Sequence, residues 1–115
     1  MEKVNPIRQK SFRFSLEIVR FCRDIMVREK EFILSKQLLR SGTSIGANVE
    51  EAQQAQSRKD FVSKCSISLK EAYEARYWLL LFRGSDIGDM RLIVVLLNQV
   101  DEIIKMLVAI VKNSK

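Results

Sequence analysis

Apolar residues recur along the chain at the three- and four-residue spacing that places them on one face of an α-helix. Four stretches show this spacing, at about residues 11–27, 31–56, 58–83 and 90–112. Short polar segments separate the stretches, and residues 84–89 (GSDIGD) form the clearest loop. The pattern predicts an all-α fold, a four-helix bundle that forms a single domain over residues 1–115.

The first stretch is amphipathic. Its apolar face comprises Phe14, Ile18, Phe21, Cys22 and Ile25. Its opposite stripe comprises Arg13, Glu17, Arg20 and Asp24. Because these four charges alternate in sign at spacings of three and four residues, we expect them to support the helix as exposed ion pairs.

The second stretch has an unusual middle. Its stripe follows a heptad-type spacing and comprises Leu34, Leu38, Ser41, Ile45, Asn48, Ala52 and Ala55. Residues 41–47 (SGTSIGA) are small and polar, and each of the two glycines costs about 1 kcal/mol in a helix relative to alanine. The stripe continues on both sides, so we predict a continuous helix whose small residues let a neighbouring backbone approach closely. A phosphate-binding glycine loop is excluded, since no strand precedes the segment and no Gly-Lys-Ser/Thr follows.

The third stretch begins with Ser57, a predicted N-cap, and Asp60 stands where a capping box usually has Glu or Gln. Its core stripe comprises Phe61, Cys65, Leu69, Ala72 and Leu79, with Ser68 and Arg76 interrupting it. An arginine on an apolar stripe requires a carboxylate partner, because an unpaired buried charge is very costly. Glu50 and Glu51 are the candidates, and the sequence does not choose between them.

Some apolar residues fall outside the predicted core. In the fourth stretch Asp89 is the expected N-cap. The face predicted to be buried there comprises Leu92, Ile93, Leu96, Val100, Ile103, Leu107 and Ile110. Ile67 and Trp78 of the third stretch, and Val94 and Val95 of the fourth, lie away from these core faces. They predict a surface for self-association or for a partner protein.

The net charge is +6 and is unevenly distributed. Residues 1–30 carry eight Lys/Arg against four Asp/Glu, and residues 58–83 carry six against three. This excess permits an anionic partner such as RNA or DNA. The predicted phosphate contacts are Arg8, Lys10, Arg13, Arg20, Arg23, Arg58, Lys59 and Lys64. Few aromatic residues lie among them in the sequence, so we expect little base stacking and a steep salt dependence.

The residues needed for most catalysis are absent from the sequence. It has no histidine, which removes the commonest general base and the usual zinc ligand. Cys22 and Cys65 are widely spaced and are expected to be buried free thiols, although a disulfide is an alternative. Neighbouring carboxylates such as Asp101 and Glu102 do not face each other on a helix. We therefore predict a protein that is not an enzyme and has no metal or cofactor.

The apolar runs bear on location. Residues 77–82 and 92–97 are the longest of them, and both are far too short to span a membrane. Residues 1–10 are polar and charged, with no apolar run of the length that a signal peptide requires. These observations predict a cytoplasmic protein with no membrane partner.

Several motifs together resemble the bacterial "four helix bundle protein" family, also called the 23S rRNA intervening-sequence protein family. The motifs are Leu39–Asn48 (LRSGTSIGAN), Glu51-Ala52, Ser57, Asp60-Phe61, Ile67–Ala72 (ISLKEA) and Glu74–Leu79 (EARYWL). The most specific part contains Ile45, Ala47 and Asn48, although Gly46 stands where many members of the family carry proline. The resemblance covers nearly the whole chain.

The resemblance implies an antiparallel up-and-down bundle that assembles into a ring-shaped homopentamer. It also implies kinship with the accessory protein of diversity-generating retroelements, a basic pentamer that binds nucleic acid and a reverse transcriptase. Our first hypothesis is accordingly a homo-oligomer that binds the RNA or DNA backbone without strong sequence readout. The second is a protein-interaction scaffold that uses Trp78 and the polar edge of the third helix.

Overall fold

The structure is a computed structural model that describes residues 5–113. Four helices cover most of this range: α1 (Pro6–Arg28), α2 (Ile33–Ala52), α3 (Arg58–Gly84) and α4 (Met90–Asn113). Residues 1–4, part of the polar segment predicted to lack a signal peptide, and residues 114–115 lie outside the described part. Within residues 5–113, no helix is both long and apolar enough to cross a bilayer.

The helices form an up-and-down bundle. Each helix packs on the next one in the sequence, and α1 also packs on α4. Side-chain contacts between the start of α1 and the end of α2 show that these helices are antiparallel: Asn5 donates to Gln53 at 2.9 Å, and Arg8 pairs with Glu50 at 2.7 Å. The predicted fold class is confirmed. In the described part of the chain, α1 and α3 occupy opposite corners of the bundle.

The predicted apolar face of α1 is buried completely. Phe14, Ile18, Phe21, Cys22 and Ile25 are each 0–2% exposed. The Phe21 ring meets the Phe82 ring of α3 edge-on, with ring centroids 5.5 Å apart. This contact brings α3 into the core that α1 builds, although Phe82 was not among the residues predicted for the core.

The small-residue segment of α2 is helical throughout, as predicted. A Cβ added to Gly42 would lie 2.9 Å from Ile18 Cγ2, and a Cβ added to Gly46 would lie 3.2 Å from the backbone oxygen of Ser11. Gly46 therefore lets the α1 backbone approach α2 closely, and Gly42 leaves room for the Ile18 side chain. The segment's hydroxyls are satisfied within the helix: Thr43 donates to the Leu39 carbonyl at 2.7 Å.

Two predicted helix boundaries were wrong. Helix α1 begins at Pro6 rather than near residue 11, because Asn5 caps it by accepting from the Arg8 N–H at 3.3 Å and proline suits the first helical position. Helix α2 begins at Ile33 and ends at Ala52 rather than near residue 56. Ala55, predicted to continue its stripe, lies in the turn after the helix.

The predicted caps of the last two helices are confirmed. Ser57 Oγ accepts from the Asp60 N–H at 3.0 Å, and Asp89 Oδ1 accepts from the Arg91 N–H at 2.9 Å. Asp60 does not close a capping box on Ser57, since its carboxylate accepts from the Gln56 N–H at 3.4 Å instead. These caps fix where α3 and α4 start.

The buried face of α4 differs from the predicted one at its first and last members, and the last, Ile110, only packs against the edge of the core. Leu92 is 37% exposed, so its assignment to the core was wrong. Leu97 and Ile104 are buried instead, which shifts the core face of this helix around its axis. In α3, Ala75 and Phe82 join the core, whereas Phe61 and Leu69 only pack against its edge. Which apolar positions are covered depends on where the neighbouring helices lie.

Candidate nucleic-acid interface

The eight predicted phosphate contacts lie on two separate parts of the bundle. Five belong to α1 and three to α3. These helices occupy opposite corners in the described part of the chain, so one chain does not present its predicted basic residues as one continuous face. Both groups nevertheless include residues near the same end of the bundle, where α1 and α3 begin.

Ion pairs across helices neutralise three of the eight cations. Arg8 pairs with Glu50 at 2.7 Å through two nitrogens, and Lys64 pairs with Glu51 at 3.0 Å. Lys10 pairs with Glu102 of α4. A cation already paired must give up or share its carboxylate in order to bind a phosphate, so these positions are poorer candidates than the sequence implied.

The charge stripe predicted on α1 forms only in part. Arg13 pairs with Glu17 at 3.7 Å, as expected from their spacing. Asp24, however, pairs with Arg28 at 2.6 Å rather than with Arg20. Arg20 is therefore left exposed without the partner that the spacing suggested.

Three of the predicted contacts are exposed and unpaired. Arg20, Arg23 and Lys59 have no carboxylate within ion-pairing distance among residues 5–113. Arg58, beside Lys59 at the start of α3, has its guanidinium 5.0 Å from the centre of the Phe61 ring. Arg20, Arg23 and Lys59 are thus the predicted residues best placed to meet a phosphate backbone.

The outer face of α3 carries a further group that sequence reasoning missed. We call it the α3 outer stripe; it comprises Lys59, Ser63, Ser66, Lys70, Tyr73 and Tyr77. The steps between these residues alternate between four and three, which places them along one side of the helix. Tyr73 and Tyr77 are 52% and 55% exposed. This regular spacing is visible in the sequence, but the sequence does not show that the face it defines is exposed.

The carboxylate partner predicted for Arg76 was wrong. Arg76 Nε donates to Asp101 Oδ1 of α4 at 2.8 Å, while Glu50 and Glu51 pair with Arg8 and Lys64. The Arg76 side chain is 43% exposed, so it lies at the edge between α3 and α4 rather than within the core. The requirement for a carboxylate was right, but spacing along one helix does not reveal which neighbour supplies it.

The predicted interface residues of α3 are partly covered. Trp78 packs against the core, and its indole Nε1 donates to Glu74 Oε2 at 3.2 Å. Glu74 also accepts from Arg40 of α2, and this hydrogen bond, followed by the nearby acidic charges, raises the pKa of Arg40. Ile67 is 41% exposed. Trp78 is thus held by a polar network between α2 and α3.

Apolar surface is exposed on α1 and α4. Val94 and Val95 of α4 are each 46% exposed, as the sequence suggested. Phe12 and Val27 of α1 are more exposed still, at 64% and 71%, and were not predicted from the sequence to be surface residues. With Leu16 they follow the outer side of α1. The outer surface of α1 therefore combines exposed apolar groups with arginines that have no carboxylate partner among residues 5–113.

A half-open cleft of about 400 Å³ lies between α1 and α4. It is lined by Pro6, Gln9, Lys10, Arg13, Phe14, Gln99, Glu102 and Ile103. The Gln99 side-chain oxygen is buried and has no hydrogen-bond partner in the described part of the chain. Packing between these two helices is therefore incomplete at this point.

The two cysteines are free and buried. Burial, followed by the nearby charge of Glu31, raises the pKa of Cys22 to about 12. Burial also raises the pKa of Cys65, with Arg58 opposing it. A thiol with a raised pKa carries little thiolate at neutral pH, so neither cysteine is placed to act as a nucleophile.

Comparison with known proteins identifies relatives of the whole bundle. Residues 3–109 match the family described as "23S rRNA-intervening sequence protein". A crystal structure of a protein with unknown function from the S23 ribosomal protein family of Bacteroides thetaiotaomicron VPI-5482 is 45% identical, with a TM-score of 0.89. The match covers 92% of this chain and 98% of that protein. No curated protein matches the chain.

Proposed function

Since the chain belongs to the 23S rRNA-intervening sequence protein family, we propose that it forms a homo-oligomeric, pentameric bundle that binds RNA or DNA through the phosphate backbone. It does so in the cytoplasm and without catalysis. The observation that carries the proposal is a set of exposed cations on a chain of net charge +6: Arg20, Arg23 and Lys59, which have no carboxylate partner within the described range.

Oligomerisation would compensate for the separation of the basic residues within one chain. A single chain has its basic groups at opposite corners, but a homo-oligomer would present the α1 cations of several subunits in one assembly. The exposed residues Val94 and Val95 of α4 supply the apolar surface that self-association buries, which leaves the α1 arginines accessible. Nucleic acid would then contact several subunits at once, which raises the effective affinity without additional contacts from any one chain.

The first experiment measures mass by light scattering, with and without mixed-sequence RNA or DNA, at low and moderate salt. We expect a pentamer that takes up nucleic acid at low salt and releases it as salt rises. A pentameric mass that does not change when nucleic acid is added in low salt would contradict the binding proposal but support the proposed assembly. A monomeric mass would contradict the assembly.

Charge reversal then tests the residues. In Arg20→Glu/Arg23→Glu the affinity for nucleic acid should fall, and the dependence of log affinity on log salt should become shallower by about 0.7–0.9 for each phosphate that the variant no longer neutralises. The matched control, Arg91→Glu/Lys105→Glu, changes the net charge of the chain equally on α4. An equal fall in affinity in both variants would show that net charge alone governs binding, and would contradict a role for α1.

A second candidate function is a protein-interaction scaffold without nucleic-acid binding. It is favoured by Trp78, a partly exposed aromatic that Glu74 and Arg40 hold between α2 and α3. Such aromatics often dominate the energetics of protein interfaces. This function would be supported if the wild-type oligomer ignored nucleic acid while Trp78→Ala abolished binding to a protein partner. Nucleic-acid binding by wild type that Trp78→Ala leaves intact would favour the first proposal.

A further inference from the structure

The α3 outer stripe differs in chemistry from every other exposed helix face described above. It places two lysines, two serines and two tyrosines along one side of a single helix. The exposed residues of α1 and α4 are instead mainly aliphatic groups among charged residues. The stripe therefore requires its own explanation, since neither the core nor the apolar surfaces proposed for self-association include it.

The two tyrosines are arranged as neighbours. Tyr73 and Tyr77 are four residues apart, which is an advance of about 6 Å along the helix on the same face. More than half of each side chain is exposed. The Tyr77 ring meets the Trp78 ring edge-on, with centroids 5.2 Å apart, which restricts its movement. The two side chains thus leave the helix at points about 6 Å apart along its axis, which is wider than the roughly 3.4 Å rise of a stacked strand.

A lysine lies beside the tyrosines, and the nearby carboxylates bond to an arginine of another helix. Lys70 stands three residues before Tyr73, and no carboxylate in the described range lies within ion-pairing distance of it. The nearby acidic residues Glu71 and Glu74 both bond to Arg40 of α2. The stripe thus contains no acidic side chain and is electrostatically suited to a polyanion.

Stacking requires access to the flat face of a base. In a duplex the base faces are covered by neighbouring base pairs, whereas an unpaired base can lie on an aromatic ring. Exposed aromatic groups beside cations are how proteins bind single strands without sequence preference. The separation of Tyr73 and Tyr77 suits two successive bases that are no longer stacked on each other.

We propose that the α3 outer stripe binds single-stranded nucleic acid, with unpaired bases stacked on Tyr73 and Tyr77 and phosphates bound by Lys70 and Lys59. This inference rests on the proposed function, because it names the class of nucleic acid that the oligomer takes up. It also replaces the expectation from sequence that base stacking contributes little, since the fold groups aromatic and basic residues on one surface.

The test compares fluorescence anisotropy of a labelled mixed-sequence single strand with that of the same sequence as a duplex, in low salt. Wild type should bind the single strand more tightly. Tyr73→Leu/Tyr77→Leu keeps the apolar bulk but removes the rings, and should weaken single-strand binding by at least about 30-fold. Duplex binding should stay within about threefold, because it does not use the ring faces.

Two controls separate stacking from other effects. Tyr73→Phe/Tyr77→Phe retains the rings and should bind the single strand within about threefold of wild type. Phe12→Leu removes an exposed aromatic from α1 and should leave single-strand binding unchanged. Light scattering on each variant should give the wild-type mass. A changed mass for the leucine variant would assign the stripe to a subunit interface and overturn the proposal.

The remaining outcomes distinguish this inference from the function on which it rests. If wild type binds both probes equally, or if the leucine variant binds the single strand like wild type, stacking is overturned while backbone binding stands. If wild type binds neither probe in low salt, the proposed function fails, and this inference fails with it.

Discussion

Helix α1 packs against α2 and α4 in two different ways. Against α2, the absence of side chains at Gly42 and Gly46 brings the helices so close that a Cβ on Gly42 would meet Ile18 at 2.9 Å. Against α4, a half-open cleft of about 400 Å³ remains, and the pair Lys10–Glu102 lies at its edge. The same helix therefore makes one contact by steric fit and another that leaves space, so the two should respond differently to substitution.

The largest expected effect is at the close contact. Gly42→Val adds a branched side chain where fully buried Ile18 occupies the space, and we expect a decrease of about 3 kcal/mol in unfolding free energy. Gly84→Val is the matched control, because nothing lies within 4 Å of a Cβ at Gly84. Urea denaturation measures both. Equal midpoints for the two variants would refute the steric account of the α1–α2 contact.

The next effect concerns Glu31, which fixes the chain between α1 and α2. Its carboxylate accepts from the backbone N–H groups of Ile33, Leu34 and Ser35 at 2.9–3.1 Å. Burial acts to raise the pKa of Glu31, but these hydrogen bonds outweigh it and hold the pKa below its ordinary value. Glu31→Ala should therefore lower the unfolding free energy at pH 7 by about 1–2 kcal/mol.

The pH dependence of the Glu31→Ala effect is the sharper measurement. A carboxyl whose pKa is lower in the folded state stabilises the protein above its unfolded pKa, and this contribution disappears as pH falls through the folded pKa. The stability difference between wild type and variant should therefore shrink below about pH 4.5. A difference that stays constant down to pH 3 would show that the contribution of Glu31 does not depend on its charge.

A smaller effect of opposite sign is expected at the α1–α4 contact. Gln99→Leu removes the buried oxygen that lacks a partner in the described residues and fills the site with apolar atoms. Stability should rise by about 1 kcal/mol. Asn98→Leu on the exposed side of α4 is the control and should change little. If Gln99→Leu destabilises the protein, the account of Gln99 as an unsatisfied buried amide is wrong.

The smallest expected effect is a difference in coupling energy between two ion pairs, one from each contact. Double-mutant cycles with Lys10→Met and Glu102→Gln should give a coupling below about 0.5 kcal/mol, since both side chains are about half exposed. The cycle of Arg8→Met and Glu50→Gln should give a larger coupling, because that arginine binds its carboxylate through two nitrogens. Equal couplings would mean that bidentate geometry contributes nothing here.

Much of the fold was accessible from local sequence. Apolar spacing predicted the complete buried face of α1, and Ser57 and Asp89 marked the starts of α3 and α4 because a cap bonds only to nearby backbone groups. The errors arose where distant groups decide the outcome. Leu92 has the correct spacing for the core of α4, but no neighbouring helix among the described residues covers it fully.

The candidate site was less predictable than the fold. The sequence identified the basic residues, but it did not show that Glu102 of α4 pairs with Lys10 or that Asp24 pairs with Arg28 instead of Arg20. The sequence contains the two tyrosines of α3, but it does not show that they are exposed beside Lys70. It also does not show that the neighbouring acidic residues bond to Arg40, and the proposed base stacking depends on both properties. Phosphate binding at Arg20, Arg23 and Lys59 stays a prediction.

By itself, the sequence determined which segments are helical and where small residues allow two backbones to meet, because periodicity, caps and side-chain size act over one or two turns. Only the tertiary structure decided that Arg76 pairs with Asp101, that the basic groups of α1 and α3 lie at opposite corners, and that space remains between α1 and α4. These properties depend on pairs of residues distant in the chain, and their separation in space is set by the packing of all four helices together.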